Sequence, residues 1–159
     1  MKPIERLVYM LLTLVLVFAF VWAFNILPVK ASPGTVYIRA NGSVEGTTNI
    51  VSSDNVTYNF IADISDSIVV QRDNIILNGA GHKVQGTGLV FPTKGIGLWG
   101  RKNVTIQNVV IKSFYYGIDI EYNAMNDRIY GCNITGTHDG IFISYSSSSK
   151  HSYMLSGLN

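Results

Sequence analysis

One cysteine, Cys132, stands in 159 residues. A lone cysteine excludes an intrachain disulfide framework and a cysteine-rich zinc centre. Charged side chains are also few, at 14% of the chain, and the formal net charge is only +2. Several of the lysines and arginines lie near the N-terminus, and the remainder is close to neutral. No electrostatic feature therefore points to nucleic acid or to an acidic partner. Beyond residue 32, apolar residues never recur at the three- and four-residue spacing of an amphipathic helix, so helix content there should be near zero. Gly79-Ala-Gly-His82 is a glycine-rich turn without the strand-to-helix context of a nucleotide loop.

The apolar residues are concentrated at the start. Lys2 and Arg6 precede an uncharged run from Leu7 to Leu27, interrupted only by Thr13 and Asn25, and Pro28, Val29, Lys30 and Ala31 follow. A positive start, an apolar stretch and small residues before a cut after Ala31 are the layout of a signal peptide. The run also reaches the ~20 residues needed to span a bilayer, so an uncleaved anchor over 7–27 is the other reading. Both place the chain from Ser32 onward outside the cytoplasm, secreted or membrane-anchored.

After residue 32 the chain is rich in Val, Ile, Thr, Tyr, Asn, Ser and Gly. Short alternating runs (Val36 to Ile38, Asp66 to Val70, Asn74 to Leu77, Asn103 to Ile106, Gly117 to Ile120) are bounded by turn residues, the pattern of many short strands. The runs repeat. Ile106, Ile111, Ile118 and Ile120 recur as Ile129, Ile134, Ile141 and Ile143, each pair at an offset of 23. Asn74 to Gly79 precedes the equivalent segment at Asn103 by an offset of 29, and Gly95 to Leu98 precedes Gly117 by one of 22, which implies an insertion around Gly86 to Lys94. A last partial copy, Leu155 to Asn159, aligns with Ile129 at an offset of 26, with the serine run 146–149 as an enlarged turn. A leucine-rich repeat needs a leucine pattern that is absent, and a propeller blade needs roughly 40 residues. A coil of three short strands fits a period near 23, with successive coils stacked at about 4.8 Å.

The expected fold is all-β: a right-handed single-stranded parallel β-helix preceded by an N-terminal signal or transmembrane helix. The divisions expected are 1–31 as signal peptide or anchor, 32–70 as N-terminal cap and first strands, and 71–159 as coils stopping part-way through a turn, as in a fragment of a longer protein. An uncovered last coil would offer an edge for end-to-end association. Alternation points Ile118 and Ile120 inward and Asp119 outward, with Phe142 above it. Val109 and Cys132 share an inward column, which makes Cys132 a small buried hydrophobe. Asn103 and Asn126 share a corner column. Asp127 falls in the inward column of Val104, and the chain is expected to shift there so that the carboxylate escapes burial.

The runs Asn103 to Ile111, Phe114 to Ile120 and Gly131-Cys-Asn-Ile134 resemble the repeats of NosD-type right-handed β-helix proteins, and Asp73 to His82 resembles the first full coil of such domains. The resemblance implies the pectate-lyase-like fold and an extracytoplasmic setting. Its implications for function are broad, because the namesake is an accessory factor for copper-enzyme maturation while fold relatives include polysaccharide lyases, hydrolases and non-catalytic surface proteins. Three functions follow as expectations: a non-catalytic surface module that binds glycan or builds the envelope; the N-terminal part of a polysaccharide lyase or hydrolase; and a metal-delivery accessory protein.

The catalytic candidates are Asp119, His138 and Asp139. Register puts Asp139 over Tyr116, not Asp119, too far for a retaining carboxylate pair, so no convincing catalytic constellation emerges. His82, His138 and His151 fall at different coil positions and Met154 is isolated, so neither a metal site nor a cofactor is expected. The outward aromatics Tyr115, Tyr116, Tyr122 and Phe142 are the candidate sugar-stacking residues, with polysaccharide or envelope glycan as partner. Of four acceptor sequons, those at Asn41 and Asn55, in N-terminal loops, are the expected glycosylation sites.

Overall fold

The computed structural model describes residues 34–145 in full, the strand Ser152–Leu155 by its backbone, and Glu5. The leader 1–31, the serine run 146–149 and His151 otherwise lie outside the described residues. Among the described residues no helix is long and apolar enough to cross a membrane.

The described strands form a β-solenoid of about four turns. On the first face, β1 (Val36–Ile38), β5 (Ile68–Val70), β8 (Lys94–Trp99), β11 (Tyr116–Glu121) and β13 (Asp139–Ser144) stack in parallel. On the second, β4 (Thr57–Phe60), β6 (Ile76–Asn78), β9 (Thr105–Gln107), the first half of β12 (Arg128–Thr135) and β14 (Ser152–Leu155) do the same. The third face holds β7 (Lys83–Gln85), β10 (Val110–Lys112) and the second half of β12. Two short antiparallel strands, β2 (Val44–Glu45) on β1 and β3 (Ile50–Val51) on β4, occupy the lower edges. Short antiparallel edge strands blunt the template that a bare parallel edge would offer to another chain.

The predicted ladders are present. Ile106 pairs with Ile129, Ile111 with Ile134, and Ile118 and Ile120 with Ile141 and Ile143. Downward, the same columns continue to Leu77 and Tyr58, to Val84 and Ile64, and to Ile96 and Ile68. Most of these side chains are fully buried, each contributing about 1.5–3 kcal/mol of apolar burial. Tyr58 stays buried because its hydroxyl donates to the Gly42 carbonyl at 2.9 Å. Val109 and Cys132 are both buried, as expected of one inward column.

The last coil differs from expectation. Tyr153 pairs with Ile129 and Leu155 with Cys132, so the offset is 24 and then 23, not 26. The register shifts between Tyr130 and Cys132, where Gly131 takes a left-handed conformation at φ 62°. That kink in β12 realigns the partner strand.

Each described turn into the second face passes through a left-handed asparagine: Asn55, Asn74, Asn103 and Asn126, with φ between 55° and 59°. Asparagine reaches this region more readily than other non-glycine residues. In this corner column the Asn103 Nδ2 donates to Asn74 Oδ1, one coil below, at 2.8 Å.

Asp127 does not escape burial. It is fully enclosed in the column of Ile75 and Val104, and its Oδ1 accepts the Val104 N–H at 2.9 Å while Oδ2 has no partner. The Arg128 N–H donates to the Val104 carbonyl, and Arg128 and Ile129 pair with Thr105 and Ile106. A local shift would break this ladder, so the backbone holds and the carboxyl group adapts. Burial pushes its pKa up to about 6, against the Val104 hydrogen bond and with help from the Asp73 charge.

Candidate functional site

The outer surface of the first face is a grid set by register. Lys94, Gly97 and Trp99 project from β8; Tyr116, Asp119 and Glu121 lie above them on β11; Asp139, Phe142 and Ser144 lie above those on β13. Gly97 leaves a gap: a Cβ there would meet nothing nearer than the Ile68 carbonyl oxygen at 3.9 Å.

Asp119 keeps its outward position, yet only 3% of it is exposed. Lys94 reaches across the gap and pairs with Asp119 Oδ2 and, at 3.5 Å, with Glu121 Oε2. Asp119 Oδ1 is buried with no partner. Burial raises the Asp119 pKa, and the Lys94 ammonium only partly offsets this. Burial works against the lysine charge as well, but Asp119 and Glu121 outweigh it and hold the Lys94 pKa above its ordinary value. Asp119 thus leaves the strand outward, as the alternation predicts, but does not stand in solvent. Asp119 is locked in an ion pair on the face, because a lysine one coil below fills the space left by a glycine. Asp139 is in register with Tyr116, and His138 lies at the turn before β13 with Nδ1 3.3 Å from Asp139 Oδ1. The three candidates do not converge on one point.

The aromatic side chains do converge, in two groups. Tyr116 stacks on Phe142 with centroids 4.5 Å apart, and Tyr115 stacks on His138 at 4.4 Å. Phe91, from the loop before β8, packs edge-on against Tyr115 at 5.1 Å. At the other end of the strands Trp99, Tyr122 and Tyr145 form a three-ring ladder with spacings of 4.5 and 5.5 Å and interplanar angles of 17° and 18°. These rings face solvent; Trp99 is 63% and Tyr145 78% exposed. Tyr122 and Tyr145 hold φ 54° and 53°, at the corner where the coil below has Gly100 at φ 63°. A bulky side chain in this region is a genuine outlier, and such strain concentrates at functional sites. Sequence reasoning found Tyr115, Tyr116, Tyr122 and Phe142 but missed Trp99 and Phe91. The signal for Trp99 was its place in the repeat, one coil below the outward Glu121. Phe91 lies in the insertion and has no counterpart in the repeat.

The donor set for a metal is thin. Among the described residues no three His, Cys, Asp or Glu side chains come together. Cys132 Sγ is buried, its thiol pKa is raised by burial, and it lies 3.8 Å from the Ile106 carbonyl oxygen. His82 lies beside Asp63 and Lys83, and His138 is committed to Tyr115 and Asp139. Soft copper sites call for thiolate, thioether or imidazole ligands converging on one point, and the described residues do not fit that requirement. Of the glycosylation candidates, Asn41 is exposed, with its Oδ1 accepting the Ser43 N–H at 3.0 Å; Asn55 is also exposed but packs against Gly42.

The family model described as periplasmic copper-binding protein (NosD) matches residues 30–154. No curated protein and no solved structure matches the chain.

Proposed function

Because the chain belongs to the NosD family of periplasmic copper-binding proteins, we propose that it is an extracytoplasmic β-helix module and that its first face binds glycan without cleaving it. The observation that carries this reading is the exposed ladder of Trp99, Tyr122 and Tyr145, two of whose members sit on left-handed backbone. An exposed ring costs little to present on a strand, but a left-handed tyrosine costs ~1–2 kcal/mol relative to glycine. Keeping two in register points to selection for the rings themselves. Aromatic rings offer apolar faces to the C–H face of a pyranose, and the partly exposed Lys94 and Glu121 beside them supply polar groups for hydroxyls. Among the described residues Asp119, His138 and Asp139 do not converge into a carboxylate pair that would support the catalytic alternative. Copper delivery, which the family's description brings to mind, lacks a ligand cluster among the described residues.

The test is calorimetric titration of the full-length chain in detergent micelles with neutral hexasaccharides of glucose, xylose and N-acetylglucosamine. At least one should bind, and W99A should weaken that binding tenfold or more. Absence of binding to all three, together with tight copper binding by the same preparation, would overturn the reading.

A further inference from the structure

The second face carries a concavity that the aromatic reading does not use. It has a volume of about 450 Å³ and is lined, among the described residues, by Asn103, Thr105, Asn126 and Arg128. That lies within the ~300–1,000 Å³ typical of small-molecule clefts. Thr105 and Arg128 are partners in register on β9 and β12, so both project outward one above the other. Asn103 and Asn126 stand at the corner just before them, with left-handed backbone that sets their amides beside the strand.

The decisive feature is Arg128. It is exposed, and among the described residues its guanidinium makes no ion pair or hydrogen bond. The acid nearest in the repeat, Asp127, is turned into the core, and Asp73 faces Arg101 at 3.4 Å. The chain's other described arginines do have partners. Arg39 pairs with Glu45, Arg72 donates to the Ala40 and Asn55 carbonyls, and Arg101 donates to the Gln71 carbonyl. An unengaged guanidinium in a polar cleft presents a planar fork that matches a carboxylate in bidentate geometry. The Thr105 hydroxyl and the Asn126 amide can both donate and accept, which suits sugar hydroxyls; a bare inorganic anion would leave the acceptors unused.

We infer that this cleft is a second binding site, taking a carboxylate-bearing saccharide such as a uronic acid oligomer, with Arg128 on the carboxylate and Thr105, Asn103 and Asn126 on the hydroxyls. The site is independent of the aromatic face. W99A therefore serves as the background for every titration, so that the other face is weakened and failure of one reading leaves the other standing. The full-length W99A chain is titrated calorimetrically with trigalacturonate, with neutral galactotriose and with a sulfated galactotriose. Trigalacturonate should bind best, and its affinity should fall steeply with salt. Adding R128Q should weaken it at least tenfold, R128K less, and N126D should weaken it by placing a negative charge in the cleft. The inference is overturned if R128Q and N126D both bind trigalacturonate as the parent does, or if the neutral or sulfated trisaccharide binds as tightly as the acidic one.

Discussion

The first and second faces of the coil share one repeat but keep their unfavourable groups on opposite sides. On the first face the interior is uniformly aliphatic, with Ile68, Ile96 and Ile118 in one column, while the exterior holds left-handed tyrosines and a buried ion pair. On the second face the exterior is at ease. Left-handed positions are filled by asparagine, and Asn78 donates to Asn59 at 3.0 Å. Its misfit is internal, where Asp127 interrupts a column of Ile75 and Val104. Strain that faces outward can serve a ligand. A carboxyl group facing inward serves only the neighbouring N–H that it caps.

The largest expected effect breaks this comparison by removing the internal misfit. The Asp127 carboxyl has a pKa of about 6 when folded and ~3.9 when unfolded. The folded state therefore holds its proton longer. Stability is greatest below about pH 4, falls between about 4 and 6, and above that carries the full penalty of about 3 kcal/mol. Asp127→Asn keeps an acceptor for the Val104 N–H and cannot ionise. Urea denaturation should show the variant more stable than the parent by up to about 2–3 kcal/mol at about pH 7.5, with little difference at about pH 4. A gap independent of pH would show that the carboxylate is not the liability.

Exchanging the corner residues should sharpen the contrast. Asn126→Tyr places a bulky residue on left-handed backbone without a stacking partner below it, and should cost ~1–2 kcal/mol. Tyr122→Asn relieves that strain but loses stacking with Trp99 and Tyr145, worth ~0.5–1.5 kcal/mol per pair. It should therefore stay within about 1 kcal/mol of the parent in thermal denaturation. The same variant should lose oligosaccharide binding, and retained binding would detach the ladder from function.

The smallest effect concerns the amides. Asn78→Ala removes the bond to Asn59, the one Oδ1 accepts from the Ala80 N–H at 3.2 Å, and the longer one from Asn108 at 3.4 Å. For these half-buried amides the loss should be about 1 kcal/mol, read from the urea midpoint. A much larger loss would mean that the second face is as tightly tensioned as the first.

The ladders were legible in the sequence because a stacked coil repeats aliphatic identity at a fixed offset. Ile106 with Ile129 and Ile118 with Ile141 needed no three-dimensional information. The burial of Asp119 was not legible. It depends on Lys94 crossing the space above Gly97, and a period-two pattern says only which way a side chain leaves the strand. Asp127 was placed in the correct column but given the wrong fate, since backbone pairing on β12 outweighs the cost of burying one carboxyl group. The slip at Gly131 was hidden because a glycine in a repeat marks a turn or a kink equally well. The cleft at Arg128 could have been suspected only by asking which cation lacks a partner, a question that register alone cannot answer.

The insertion between β7 and β8 has a further meaning. Because of it, Ile76 and Thr105 pair across a longer stretch of chain than Thr105 and Arg128 do, at an offset of 29 against 23. The entropy of closing a flexible loop grows only with the logarithm of its length, so this extension adds about 0.2 kcal/mol. A solenoid of this kind can lengthen the turns on its rim almost freely, while a single inward residue is fixed by the coils above and below it. Phe91 stands in such a turn. New recognition surfaces can therefore arise by growth of the rim at nearly constant stability, without any change to the aliphatic columns that close each coil.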